Sequence, residues 1–251
     1  MTTLGNREQT DLNQAAFAHP DFDRVRRKGV PEVIMAGTKT VPQCMAIVAS
    51  FLERTGRAIL SHVSPELEAA LTHAYPRGGY DWYQASRTAI VRREGTEVKP
   101  TGGRVGIITA GTSDQPVAEE AAIVCQEMGC AVRAIYDVGV AGLHRLFGPL
   151  RELLEAEDVD VIIVAAGMDG ALPSVVSGLV DVPVIGLPTA VGYGMGGEGR
   201  AALMAMLQTC SPGLAVVNIG NGVGAGAMAG LIANRAALAR RQGQEHRDDH
   251  A

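Results

Sequence analysis

Aromatic residues are scarce in this chain: four Phe, five Tyr and one Trp amount to 4% of 251 residues, while 31 positions are glycine. Large rings cannot dominate the core at that level. It must be built from Val, Ile, Leu and Ala, the composition of a parallel sheet covered on both faces, with glycines at tight strand-to-helix turns. Cysteine is sparse as well. Cys44, Cys125, Cys130 and Cys210 form no CxxC pair and no His/Cys ladder at zinc spacing, which argues against a structural metal or redox motif and for a reducing, cytoplasmic compartment. A basic excess is missing: 22 Lys and Arg against 27 Asp and Glu give a net charge of −5, leaving no stripe to displace counter-ions from nucleic acid. No apolar run reaches membrane-spanning length without a glycine or a charge. The polar start Asn6-Arg7-Glu8-Gln9 lacks the apolar segment of a signal peptide, so neither a membrane nor export is expected.

What the chain does have is a regular alternation of short apolar runs with helical periods. Residues 1–20 are polar and aperiodic and read as a flexible terminus; 241–251, with Arg240 before them, form a charged tail expected to fray. Residues 21–98 read as a small α/β unit, with strands at Glu32–Met35, Arg57–His62 and Thr88–Val91 and helices at Val41–Arg54 and Pro65–His73. Ser64-Pro65-Glu66 is a good helix start, and Glu94–Gly103 reads as a linker. Residues 103–240 hold strands at 105–109, 132–136, 161–165, 183–187 and 214–218, each followed by a helix: 114–128, 141–156, 169–179, 199–209 and 223–239. That order predicts an α/β three-layer sandwich with a flavodoxin-like parallel sheet.

Ligands of such sheets sit outside the carboxyl ends of the strands, where following helices offer unpaired N–H groups. The first turn, Gly111-Thr112-Ser113-Asp114, is the best anion-binding candidate, with an ordinary capped helix as the alternative. A P-loop is excluded because no GK[ST] follows. The third strand runs into Gly167-Met168-Asp169, a glycine turn expected to open a helix at Asp169. Alone, Asp169 reads as a carboxylate favoured by the helix dipole. Asp114, Asp137 and Asp169 all lie just past apolar strands, however, and carboxylates converging on one rim need a cation, a substrate or a shared proton to compensate them. Thr189 to Gly194 forms a further glycine-rich turn. Cys210, expected near a helix end, is either a small buried hydrophobe or a nucleophile needing a compensating positive charge. The run Asn218 to Ala227 permits close helix packing, within the chain or between subunits. His144 or Arg145 could face a phosphate or a neighbouring chain, or simply solvent.

These turns together resemble a known family. Gly111–Asp114, Ala166–Ser174 and Pro183–Pro188 are similar to the PurE-type phosphoribosylaminoimidazole carboxylases. Longer stretches, Ala110–Ala122, Tyr136–Leu146, Ala166–Leu179, Val191–Gly194 and Val217–Gly226, resemble the LarB family of nickel-pincer-cofactor biosynthesis. Asp23-Arg24 and Gly29–Val33 fit that family too. The resemblance implies an enzyme that carboxylates C5 of the pyridinium ring of nicotinic acid adenine dinucleotide with carbon dioxide as co-substrate. It then hydrolyses the phosphoanhydride, giving pyridinium-3,5-biscarboxylic acid mononucleotide and AMP. A pyridinium ring is too electron-poor to attack carbon dioxide, so a thiolate first adds to it. The resemblance assigns that thiol to Cys210 and the proton-abstracting base to Asp169.

Substrate-binding positions carried by the same motifs are Gly111, Thr112, Ser113, Asp114, Asp137, Gly167, Met168, Ser174, Thr189, Tyr193, Gly194 and Asn218. The resemblance further implies Mg²⁺ on the pyrophosphate, through Asp114 or Asp137, no tightly bound organic cofactor, and a homo-oligomer whose sites lie at subunit contacts. Three positions depart from the patterns. The purine motif carries histidine where this chain has Ala171, which argues against the purine reaction; LarB relatives mostly have glutamate at Asp169 and aspartate at Gly220. The alternatives are a PurE-like carboxylase of another nucleotide and a nucleotide-binding module without turnover.

Overall fold

The computed structural model describes residues 18–75 and 79–248, so the expected flexible start lies almost wholly outside the described residues. The chain divides into two compact units, Met1–Glu97 and Val98–Ala251.

The first unit has a four-stranded sheet in the order β1-β2-β4-β3: β1 Val33–Met35, β2 Arg57–Ser61, β3 Tyr80–Tyr83 and β4 Thr88–Arg92. Helix α1 spans Arg24–Lys28, α2 Val41–Thr55 and α3 Pro65–Ala74. β1 and β2 are parallel, joined by α2; β4 is antiparallel to both β2 and β3. α2 starts where it does because Thr40 and Gln43 bond reciprocally: the Gln43 N–H donates to Thr40 Oγ1 at 3.4 Å and the Thr40 N–H to Gln43 Oε1 at 3.0 Å. It stops at Gly56, which turns left-handed at φ 77°. Its buried residues Cys44, Ile47, Val48 and Phe51 fall at helical spacing and meet Ala58, Leu60, Ala89 and Val91 of the sheet. Neither α1 nor β3 is expected from the sequence; β3 is the half-exposed partner of a hairpin and lacks an apolar run.

The second unit carries five parallel strands in the order β6-β5-β7-β8-β9: β5 Arg104–Thr109, β6 Ala131–Ile135, β7 Val161–Ala166, β8 Val184–Pro188 and β9 Leu214–Val216. This is the flavodoxin-like order. Helices α4 Gln115–Glu127, α5 His144–Glu155, α6 Ala171–Ser177, α7 Arg200–Leu207 and α8 Gly222–Asp248 alternate with the strands. One face is packed by α5, α6 and α7 through Leu146, Leu150, Leu153, Leu172, Val176 and Met206, and the other by α4 and α8, giving three layers. β7 is buried at every position, which is why it reads as a continuous apolar run.

Several expectations are corrected. Helix α6 begins at Ala171, two residues after Asp169, with Gly170 as its cap, and ends at Ser177. α5 begins at His144, after a short 3-10 turn at Val140–Gly142. The charged stretch from Arg240 is helical as far as it is described, α8 running on to Asp248, with Arg240 pairing with Asp160 and donating to the Gly102 carbonyl at 2.8 Å, and Arg241 donating to the Thr101 carbonyl at 3.0 Å; residues 249–251 lie outside the described residues. The small-residue stripe of α8 serves contacts within the chain. Ala225, Ala229, Ala233 and Ala237 are buried, and a Cβ on Gly226 would lie 2.5 Å from the Ala121 carbonyl oxygen of α4. Among the described residues, no helix is long and apolar enough to cross a membrane.

Candidate active site

A cavity of about 540 Å³ opens at the carboxyl rim of β5, β6 and β7, a size suited to a small-molecule ligand. It brings together Gly111, Thr112, Ser113 and Asp114 from the first turn, Asp137 from the second, and Gly167, Met168 and Asp169 from the third. Arg145, Ala171 and Val191 also line it, and none of these three was assigned to the site from sequence.

The turns are locked to one another by backbone and buried polar contacts. Gly167 passes so close to the next loop that a Cβ there would lie 2.2 Å from the Val191 carbonyl oxygen, and the Met168 N–H donates to that oxygen at 2.6 Å. Only glycine allows that approach. Asp114 is buried. Its carboxylate accepts the Gly111 N–H at 2.9 Å and the Thr189 hydroxyl at 2.6 Å, so it folds the first turn rather than capping α4. Asp137 sits in the left-handed region at φ 59°; its N–H donates to Thr109 Oγ1 at 3.2 Å and its carboxylate accepts from Arg145 Nη1 at 3.0 Å.

Both carboxylates already have partners. Asp114 is enclosed and already accepts two donors, Asp137 is ion-paired, and among the described residues no group of three metal-ligating side chains occurs. Asp169 is different. It is exposed on the cavity wall, and one oxygen accepts only the Ala171 N–H, at 3.4 Å, from its own turn.

Other sequence-derived positions fall elsewhere. Thr189 is buried behind the cavity and acts through Asp114. Ser174 lies in the body of α6, its carbonyl accepting from Ser177 Oγ and the Gly178 N–H. Tyr193 and Gly194 belong to the turn that follows Val191 and do not line the cavity, with Tyr193 82% exposed. Asn218 lies beyond β9, its side chain accepting its neighbour's N–H. Gly220 adopts φ 68° with open space around it, a conformation that glycine takes without cost.

Cys210 is not among the residues lining this cavity. It is exposed, as a nucleophile requires, but it lies in the loop between α7 and β9, at the amino ends of the strands. Neighbouring contacts fix this end: the Val184 N–H, at the start of β8, donates to the Gly213 carbonyl, and Ser211 borders Gly178 at the end of α6. Asp169 stands at the opposite rim, separated by the length of a five-residue strand, roughly 15 Å. The other thiols are packing residues. Burial pushes the Cys125 thiol up, and Cys130 is pushed up to about 11, chiefly by burial; Cys44 is also raised by burial.

A family model described as AIR carboxylase matches residues 104–248, and one described as LarB/PurE-like N-terminal domain matches residues 11–93. An uncharacterized protein of Methanocaldococcus jannaschii is 45% identical over 216 residues, covering 85% of this chain and 82% of its own. An N5-carboxyaminoimidazole ribonucleotide mutase from the same organism is 32% identical over 114 residues, 45% of this chain and 67% of that protein. The solved structure of Treponema denticola PurE matches with a TM-score of 0.43 at 18% identity, over 59% of this chain and 96% of that one.

Proposed function

This chain belongs to the AIR carboxylase family and carries a LarB/PurE-like N-terminal domain, and from that premise we propose that it carboxylates the pyridinium ring of nicotinic acid adenine dinucleotide and then hydrolyses its phosphoanhydride. The observation that carries this reading is the exposed Asp169 carboxylate sharing one cavity with the Gly111–Ser113 turn, a base beside an anion site. A purine-type reaction is disfavoured, because the cavity wall at Ala171 holds a methyl group where the purine motif has an imidazole.

The steps balance without an external oxidant. The Cys210 thiolate adds to the pyridinium ring and turns it into a dihydropyridine; its enamine-like C5 attacks carbon dioxide, forming the carbon–carbon bond. Asp169 removes the C5 proton, the electron pair re-forms the ring double bond, and the thiolate leaves as aromaticity returns. Water then cleaves the phosphoanhydride to release AMP. Mg²⁺ in this reading is carried in by the diphosphate rather than held by the chain.

Because Cys210 and Asp169 lie on opposite rims, the reaction needs two copies, with the thiol of one facing the cavity of another. Support comes from α7, which ends just before Cys210 and exposes Met204 at 70% and Leu207 at 65%. A second copy would cover such a surface. The test is an end-point assay with the dinucleotide, bicarbonate and Mg²⁺, read by mass spectrometry, on Cys210→Ser, Asp169→Asn and the two variants refolded together. Each variant alone should be inactive and the mixture should regain about a quarter of wild-type turnover, since random pairing leaves that share of sites intact. A mixture that stays inactive, while wild type carried through the same refolding recovers, would sink the shared-site reading. No dicarboxylated product from wild type would sink the activity itself.

A further inference from the structure

The segment between β8 and α7 leaves the cavity wall as a loop held at its base. Five of the eight residues at 192–199 are glycine. Both ends are tied to Thr189: the Val191 N–H donates to Thr189 Oγ1 at 3.4 Å, and a Cβ on Gly199 would lie 2.6 Å from the Thr189 carbonyl oxygen. Val191 itself lines the cavity, and a Cβ on Gly192 would lie 3.5 Å from the Met168 nitrogen, so the loop departs beside a residue of the cavity wall. The part around Tyr193 is unpacked. Gly192 and Gly194, at φ 153° and 71°, flank Tyr193, and a Cβ on Gly194 would meet nothing within 4 Å. The Tyr193 side chain is 82% exposed and makes no hydrogen bond or ring contact among the described residues, and Met168 is 48% exposed.

Two apolar side chains at the rim of one cavity, both left in water, gain from any movement that buries them against each other or against a ligand. Glycines on either side of Tyr193 let its backbone turn while Val191 and Gly199 stay fixed, the arrangement of a hinged cover. The reach suffices, because two residues span about 7 Å and the tyrosine ring extends further. Met168 is the landing point, since a thioether packs favourably at the edge of an aromatic ring. We infer that Tyr193 is a hinged cover, which swings at Gly192 and Gly194 onto Met168 when a planar ring occupies the cavity and shuts water out of it. The inference rests on the carboxylase reading for the identity of that ring, and it gives the cover a task in the reaction. An enamine carbon that meets water takes a proton in place of carbon dioxide; loss of one of the two C5 hydrogens as a proton, and of the thiolate, then returns the starting ring with solvent hydrogen at C5. Exclusion of water therefore decides between carboxylation and this futile exchange.

Limited proteolysis of the intact assembly tests it. Chymotrypsin cuts after exposed aromatic residues, so the free protein should be nicked after Tyr193. Nicotinic acid adenine dinucleotide, with its occupancy measured by calorimetry, should slow that cut at least about tenfold, because a closed loop is cleaved only when it reopens; inorganic diphosphate, which has no ring, should not. Tyr193→Ala should weaken the dinucleotide about tenfold, the scale of one stacked ring, and Tyr193→Phe should keep the affinity. With Met168→Ala, the losses of affinity should be less than additive while the shifts in melting temperature add, because the two side chains meet only in the closed state. In heavy water with bicarbonate, Tyr193→Ala should place more deuterium at C5 of the recovered dinucleotide, per carboxylation, than wild type does. Absence of protection in occupied wild type, or additive losses of affinity, overturns the cover and leaves the carboxylase reading standing. A loop that resists chymotrypsin in the ligand-free assembly and is cut on dilution is covered by a second copy, which overturns the cover as well. Wild type that binds no dinucleotide overturns both.

Discussion

The Thr189 hydroxyl donates to the buried Asp114 carboxylate at 2.6 Å, tying the loop after β8 to the turn after β5 across the end of β7. The second carboxylate oxygen takes the Gly111 N–H, so the Asp114 carboxylate joins its own turn to the loop after β8. Thr189→Val keeps the volume and removes the donor, leaving part of a buried carboxylate unsatisfied. We expect a loss of about 1–3 kcal/mol in urea unfolding, together with weaker binding of inorganic diphosphate. Thr189→Ser should retain most of both. Equal behaviour of the two variants would show that the bond does not position the turn.

The α4–α8 contact depends on the absence of one side chain. A Cβ on Gly226 meets the backbone carbonyl of Ala121, which cannot move without shifting α4, whereas a Cβ on Gly230 meets the flexible end of Met128. Gly226→Ala should therefore cost about 1–3 kcal/mol by overpacking, and Gly230→Ala clearly less. Thermal melts of the two variants side by side decide the point. A larger drop for Gly230→Ala would contradict this packing.

Most of the second unit is legible in the sequence because β5, β7 and β8 are buried on both faces and read as unbroken apolar runs between glycine turns. β3 is not legible, since its residues are half exposed and aromatic rather than aliphatic. Arg145 could be named but not assigned: its ion pair with Asp137 depends on a left-handed turn at a non-glycine residue, which no local pattern specifies. The position of Cys210 is legible too. A residue that follows a helix and precedes a strand lies at the amino rim of a parallel sheet, away from the ligand side, and that order is already present in the sequence. The helical tail depends on Arg240 and Arg241 reaching Asp160 and the carbonyls of Thr101 and Gly102, partners about 80 to 140 positions away.

Alkaline pH should weaken the second unit through Cys130. Burial favours its neutral thiol, raising it from an ordinary 9.0 to about 11, so the folded state holds its proton more tightly than the unfolded chain does. The resulting stability is fully present below about pH 9 and is lost as pH rises through 11. Urea unfolding at pH 8, 9, 10 and 11 should show this fall, and Cys130→Ala should make it shallower, the buried Cys125 thiol contributing in the same direction. An identical pH slope in wild type and variant would show that the thiol does not titrate differently in the two states.

Thiol reactivity separates Cys210 from the other three cysteines. The thiolate is the reacting species, and Cys44, Cys125 and Cys130 are buried with thiols pushed up, while Cys210 is exposed. Iodoacetamide at pH 8 should add a single carbamidomethyl group to the native protein, at Cys210, and four groups after denaturation. If the thiol of one copy faces the cavity of another, nicotinic acid adenine dinucleotide should slow that single modification. Dilution to a concentration at which the assembly dissociates should abolish the protection, even with the dinucleotide still present in excess. Protection that survives in the monomer would mean that Cys210 meets the ligand within its own chain, against the topology described here. No protection at any concentration would separate Cys210 from the ligand altogether and leave Asp169 without a nucleophilic partner.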